Sequence, residues 1–155
     1  MTTSLFIHTF NQNKYSAYMI ITTKIKYAIN ALVYLAENHG TVISAREISE
    51  KLNIPKEFIS KILQSLVSEG FVCSKKGKNG GFVILANLSD ITVKSIYVAL
   101  GYTQIEKVCW LGLQGNCIDK ICDLCTLWEK MSIEFEVSIK RVNLQILAES
   151  KFVNN

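Results

Sequence analysis

Four of the five cysteines stand at 109, 117, 122 and 125, within the stretch CWLGLQGNCIDKICDLC. Successive members are separated by seven, four and two residues. Thiolates are soft donors that suit zinc or an iron–sulfur cluster and not magnesium or calcium. In a reducing compartment, clustered cysteines act as ligands or redox groups; in an oxidising one they pair as disulfides. Gly112 and Gly115 let the chain turn back so that Cys109 and Cys117 converge. Cys122 and Cys125 fall at the expected start of a long helix, whose partial positive charge favours thiolate. Three chemistries therefore stand open: an iron–sulfur cluster, a structural zinc knuckle, and buried thiols or disulfides. Tetrahedral zinc usually takes paired short CxxC-type loops. Only one such pair occurs here, and the wider spacings suit a larger cluster. Cys73 stands apart and reads as a small apolar core residue. His8 and His39 have no evident ligand partner and read as surface.

A chain of 155 residues suffices for one domain with its own core and an extended helix that needs a partner. No apolar run reaches the roughly 20 residues that span a bilayer. The opening MTTSLFIHTFNQNKYSAY lacks the charged start, apolar block and cleavage site of a secretory signal, so the expectation is a cytoplasmic protein. The net charge is +4 and uneven. Residues 1–101 hold 11 Lys/Arg against 6 Asp/Glu, and residues 102–155 hold 6 against 7. The basic part permits a polyanionic partner.

Residues 1–18 show no helical period and precede an internal Met19, which suggests an extension or a misassigned start. From there Ile25, Ala28, Ile29, Leu32, Val33 and Ala36 recur at helical spacing, capped by Thr22 or Thr23 and closed by Gly40. In SAREISEKL, Ser44 and Glu47 form a reciprocal capping box. Asn53 and Ile54 turn into Pro55, which opens a third helix with Ile59, Ile62, Leu63, Leu66 and Val67 inside and Gly70 as a left-handed cap. Phe71–Ser74 and Gly81–Leu85 read as two strands joined by KKGKNG. A further short helix runs from Thr92 to Gly101. From Cys125 an apolar stripe of Leu127 or Trp128, Met131, Phe135, and Ile139 or Val142 predicts a helix of about 17 residues, roughly 25 Å long. That is more than the small domain can cover, so it is expected to pair with its twin through Trp128, Met131, Phe135 and Ile139.

Two capped helices, a turn and a basic hairpin occur in the order of a winged helix-turn-helix. Such a helix enters the major groove, while the hairpin follows the backbone or reaches the minor groove. Lys56 and Lys61 would meet phosphate or guanine. Ser60 and Gln64 would read base edges, and Glu57 would accept from cytosine. Lys75, Lys76 and Lys78 on the wing would position without specifying. Phe58 and Phe82 could stack on the DNA backbone but more commonly pack a core at such positions. No nucleophile with its base, no paired carboxylates and no phosphate loop are present, so the chain does not read as an enzyme and no small-molecule substrate is implied.

The motifs TTKIKYAINALVYLA, SAREISEKLNIP, KILQSLVSEGFVCSKKGKNGGF and ITVKSIYVAL, with the cysteine loop running into CTLW, are together specific. From residue 19 to about 150 the chain resembles the Rrf2 family of bacterial transcription regulators, in particular its IscR- and NsrR-like iron–sulfur members. The resemblance implies a homodimer of winged helices on palindromic double-stranded operator DNA, with a cluster on Cys109, Cys117 and Cys122. A 2Fe–2S core is expected ahead of 4Fe–4S. Cys125 stands where IscR-like members carry a histidine, so an all-cysteine site is plausible, and the loop spacings depart from the family pattern. Lys76 stands where the family usually has an arginine, and Ser60 where IscR has a glutamate that selects between site types.

The expected architecture is mainly α with a small β-hairpin wing. Residues 1–18 form the extension, 19–101 the winged helix-turn-helix, 102–125 the cysteine loop, and 126–155 the dimerisation helix and tail. The expected function is a repressor that senses cluster status, redox state or nitric oxide. The alternatives are a constitutive, zinc-stabilised winged-helix DNA-binding protein, and a thiol-redox or electron-carrier protein without operator binding.

Overall fold

The computed structural model describes residues 21–102 and 123–150. The amino-terminal extension, His8, Cys109, Cys117 and Cys122 lie outside these residues, as does the side chain of Cys125. The order is α1 (Thr23–Glu37), α2 (Ala45–Leu52), α3 (Lys56–Ser68), β1 (Cys73–Lys75), β2 (Gly81–Val83), a 3₁₀ turn at Leu88–Asp90, α4 (Val93–Ala99), α5 (Asp123–Arg141) and α6 (Leu144–Glu149). It is mainly α, with a two-stranded antiparallel hairpin as the wing. No helix among the described residues is long and apolar enough to cross a membrane.

Local sequence signals set most boundaries. Thr22, Ser44 and Thr92 cap α1, α2 and α4, each hydroxyl accepting the N–H three residues on, which satisfies a helix-end donor otherwise lacking a partner. The capping box at Ser44 is one-sided. Glu47 does not return the bond, because its carboxylate accepts instead from the Tyr34 hydroxyl at 3.3 Å. Pro55 occupies the cap position of α3, one residue before the helix proper. Gly70, at φ 78°, closes α3 as the sequence predicts: Phe71 N–H reaches Leu66 O and Gly70 N–H reaches Val67 O, both at 3.0 Å. This is the paired arrangement that spares the last carbonyls of a helix.

Helix α1 is the hub, packed against α2, α3, α4 and α6. Ile25, Ala28, Ala31, Leu32 and Leu35 have no exposed surface, and its alanines let neighbours approach closely. Ile59, Leu63 and Leu66 of α3, Ile48 of α2 and Ile96 of α4 complete the same core.

The long helix runs to Arg141, as its expected length from Cys125 requires, and the tail beyond it forms a further helix that the sequence reading does not assign. Helix α5 ends at Arg141, and Asn143 caps a new helix by accepting from Ile146 N–H at 3.0 Å. Val93 N–H donates to Val142 O and Leu144 N–H to Ile91 O, at 2.9 and 2.8 Å. This two-bond bridge turns the chain back, and α6 docks on α1 with Leu144 fully buried. The described tail therefore belongs to the winged domain's core. Leu144→Ala should cost about 2–5 kcal/mol through lost burial and the cavity left behind. Ile146→Ala, at a site 47% exposed, should stay within about 0.5 kcal/mol. Urea unfolding of the two variants measures the contrast.

Candidate nucleic-acid interface and cysteine segment

The outer face of α3 presents Lys56, Glu57, Lys61 and Gln64 to solvent, with Ser60 half-buried between them. Helical spacing produces this directly, since the opposite face carries the buried Ile59, Ile62, Leu63 and Leu66. Among the described residues none of Lys56, Lys61, Lys75, Lys76 or Lys78 pairs with a carboxylate. Their charge is available to an external anion. Phe58 is 39% exposed at the edge of this face. It packs edge-to-face against Tyr27 of α1, with ring centroids 5.6 Å apart and planes at 87°. That contact braces the first turn of α3. Phe82 is half-buried against the core.

The wing pairs Cys73 with Val83, Ser74 with Phe82 and Lys75 with Gly81. All of β1 is exposed. This corrects the expectation that Cys73 is a core residue: Val72, just before the strand, takes the buried position, and the thiol stands free at the surface. The turn carries Lys76 and Lys78, with Gly77 at φ 109° and Gly80 N–H closing on Gly77 O at 3.0 Å. An isolated two-stranded ribbon is marginal in water. Here Ile43 anchors it from the other side, with Ile43 N–H to Phe82 O at 2.9 Å and Phe82 N–H to Ile43 O at 2.8 Å. Ile43 immediately precedes the Ser44 cap, so wing and helix-turn-helix share one fastening. Sequence reading missed this pairing. The extended, β-branched Val42-Ile43 ahead of the capping serine is the signal that could have found it.

The cysteine segment is approached from both ends through α4 and α5. Gly101, at φ 91°, ends α4, and Tyr102 follows with its N–H on Tyr97 O at 2.9 Å. Tyr97 packs edge-to-face on Tyr102 and on Phe135 of α5, at 6.1 and 6.0 Å. Burial pushes its hydroxyl pKa up to about 12, so it stays neutral. Lys94 of α4 and Lys140 both reach Glu136 of α5, at 3.3 and 3.2 Å. The hydrogen bonds to Lys140 and then Lys94 hold that carboxyl below its usual range. Cys125 lies in the first turn of α5. Of the side chains expected at a dimer seam, Ile139 is buried in the chain's own core and Phe135 packs on it; Trp128 is half-buried and Met131 is exposed. His39 is at the surface, 3.3 Å from Ala86 O.

Residues 21–150 match the Rrf2 family model, described as an iron-dependent transcriptional regulator. The HTH-type transcriptional regulator IscR of Pectobacterium atrosepticum is 29% identical over 142 residues, covering 88% of this chain and 84% of that protein. CymR, the global cysteine regulator of B. subtilis, superposes with a TM-score of 0.72 at 24% identity, over 86% of this chain and 98% of that one. IscR of T. potens superposes with a TM-score of 0.65 at 20% identity, over 87% and 90%. At these identities the two solved structures share the fold.

A Cβ added at Gly81 would run into the backbone carbonyl of Ile43, and backbone cannot step aside as a flexible side chain can. Gly81→Ala should therefore loosen the Ile43–Phe82 fastening and destabilise the domain by about 1–3 kcal/mol. Hydrogen exchange should rise at the Phe82 and Ile43 amides ahead of those in α1.

Proposed function

The chain belongs to the Rrf2 family of helix-turn-helix transcription regulators, and from that premise we propose that it is a homodimeric, iron–sulfur-sensing repressor. Its grip on operator DNA depends on a cluster held by Cys109, Cys117, Cys122 and Cys125. Helix α3 would enter the major groove with Lys56, Glu57, Ser60, Lys61 and Gln64, and the wing lysines would clamp phosphates. Two reading heads on B-DNA sit about 34 Å apart, and this separation is what a sensing event would alter.

The observation that carries the reading is one continuous helix. α5 has the last cysteine in its first turn, and its far end is wedged into the core that supports α3. A change at the cysteines would thus act on an element packed directly against α4 and the core. The donor set fits the group: all four candidates are cysteines, which ligate as thiolates, and a helix amino terminus with its positive end favours the charged form of Cys125. When bound, the cluster supplies a redox- and nitric-oxide-reactive centre. The chain's own residues supply the charge, the reading surface and the connection between the two. The match to an iron-dependent family and the IscR relatives support the same assignment.

Purification without oxygen, followed by a visible spectrum and iron, sulfide and zinc counts, tests the cofactor. Wild type should be coloured and hold iron and sulfide. Alanine at Cys109, Cys117 or Cys122 should abolish both. Unchanged iron would sink the ligand assignment, and zinc with no iron would point to a constitutive zinc-stabilised regulator.

The DNA surface has its own check. Lys76→Ala and Lys78→Ala should weaken binding to all duplexes alike and reduce the salt slope by about 0.9 for each phosphate no longer neutralised. Gln64→Ala should instead change sequence preference, with an effect of about 1–3 kcal/mol at one base pair. Fluorescence anisotropy across a salt series separates the two outcomes.

A further inference from the structure

The residue that enters the cysteine segment is tied to the helix that braces the DNA-reading surface. Tyr102 is the last residue described before that segment. Its hydroxyl lies 3.1 Å from Thr22 Oγ1. Thr22 is the cap of α1, and the same oxygen accepts the Ile25 N–H at 3.3 Å. One turn further along α1, Tyr27 makes the edge-to-face contact with Phe58 in the first turn of α3. That turn also carries Lys56 and Glu57. A second tie runs beside the first: Lys24 of α1 donates its ammonium to Leu100 O at 3.1 Å, at the carboxy-terminal end of α4, where a cation is favoured. The ring of Tyr102 also packs on Tyr97, which packs on Phe135 of α5. Tyr102, at the edge of the cysteine segment, and Phe135, well inside α5, therefore meet in one aromatic cluster, and the Tyr102–Thr22 hydroxyl pair joins that cluster to the start of α1.

We propose that Tyr102 is a positioning residue that passes the state of the cysteine segment to α3, through Thr22 and the Tyr27–Phe58 contact. This rests on the sensing role proposed above. Helix α1 is close-packed along its whole inner face, so a displacement at its cap is not absorbed locally. It moves the helix against its neighbours, and Tyr27 is the point where α1 touches the amino-terminal turn of α3 that meets DNA. Energetic coupling is carried by packed and hydrogen-bonded groups, and its mark is that their joint perturbation is non-additive. The series Tyr102, Thr22, Tyr27, Phe58 supplies such a set.

The test compares full-length wild type, Tyr102→Phe, Tyr27→Leu and the double variant. Each is prepared without oxygen in iron-loaded form and after iron removal by a chelator. Operator affinity is measured on a duplex enriched from random sequence by the wild-type protein. Tyr102→Phe keeps the ring and deletes only the hydroxyl, so iron content and the unfolding midpoint should match wild type. The ratio of affinities between loaded and stripped forms should fall toward one by about threefold or more. Tyr27→Leu, which leaves the cysteine segment untouched, should lower the same ratio, and the double variant should go no further than the larger single effect. A wild-type ratio that differs from one and persists in both single variants would overturn this proposal and leave the sensing role standing. A wild-type ratio of one would overturn the sensing role, and this proposal with it.

Discussion

Burial of the inner face of α1 is the constraint on which the other parts depend. Five of its side chains are wholly removed from solvent, and each large one contributes about 1.5–3 kcal/mol. The polar links between elements are weaker. Arg46–Glu50 is a solvent-exposed pair within one helix, where water screens the attraction and leaves it little weight. Lys94–Glu136 ties α4 to α5 but sits at the rim. Apolar packing against α1 therefore sets where α3, α4 and α6 lie, and the polar contacts trim their orientation. Several parts are fastened to this one helix: α3 through the core and Tyr27, Tyr102 through Thr22, and the start of α2 through the Tyr34–Glu47 bond.

The same constraint explains how so much unpaired positive charge can be displayed. The wing has almost no core of its own: β1 is wholly exposed and only Val83 at the end of β2 is buried. Because Ile43 fastens it by two backbone bonds, Lys75, Lys76 and Lys78 project without being desolvated and, among the described residues, without a carboxylate to hold them. Held this way, they cost little in the free protein and their full charge is available to phosphate. Lys76 brings a compact, strongly hydrated ammonium in place of the planar fork of an arginine. That suits clamping a backbone better than reading a narrow groove.

What the sequence made legible was whatever is decided within a few residues. The caps at Thr22, Ser44 and Thr92, the left-handed glycines at 70 and 101, the inner face of α3 and the basic hairpin all follow from neighbours along the chain. What it hid was decided across the fold. The Ile43–Phe82 pairing spans the whole helix-turn-helix, so the β-branched Val42-Ile43 hints at a strand but not at its partner. Glu47 looked like the second half of a capping box because nothing nearby revealed Tyr34 as a competing donor. Cys73 looked like a core residue because a strand was expected to bury one face, yet a ribbon at the edge of a small domain has nothing to cover it. The second helix at Leu144–Glu149 went unread because six residues are too few to show a period, and only the bridge to Ile91 and Val93 shows where the chain turns. The four cysteines were plain from their spacing along the chain.

The apolar stripe of α5 also changes character along its length. Near Arg141 it turns inward: Ile139 is buried and Phe135 packs on Tyr97. Near the cysteines it opens, with Leu127 52% and Met131 46% exposed. At a rise of about 1.5 Å per residue, 19 residues extend about 28 Å, so the two ends sit in different surroundings. The inner end is fixed by this chain's own core. The outer end carries a run of apolar side chains that water disfavours, the kind of surface that marks a contact site. In the proposed dimer a second α5 would cover that end, on the side of Cys125 and away from α3. A cluster there would bear at once on how two copies meet and, through the aromatic cluster at Tyr97, on how each α1 is seated. Sensing and dimer geometry would then be two consequences of one helix that is anchored at one end and uncovered at the other.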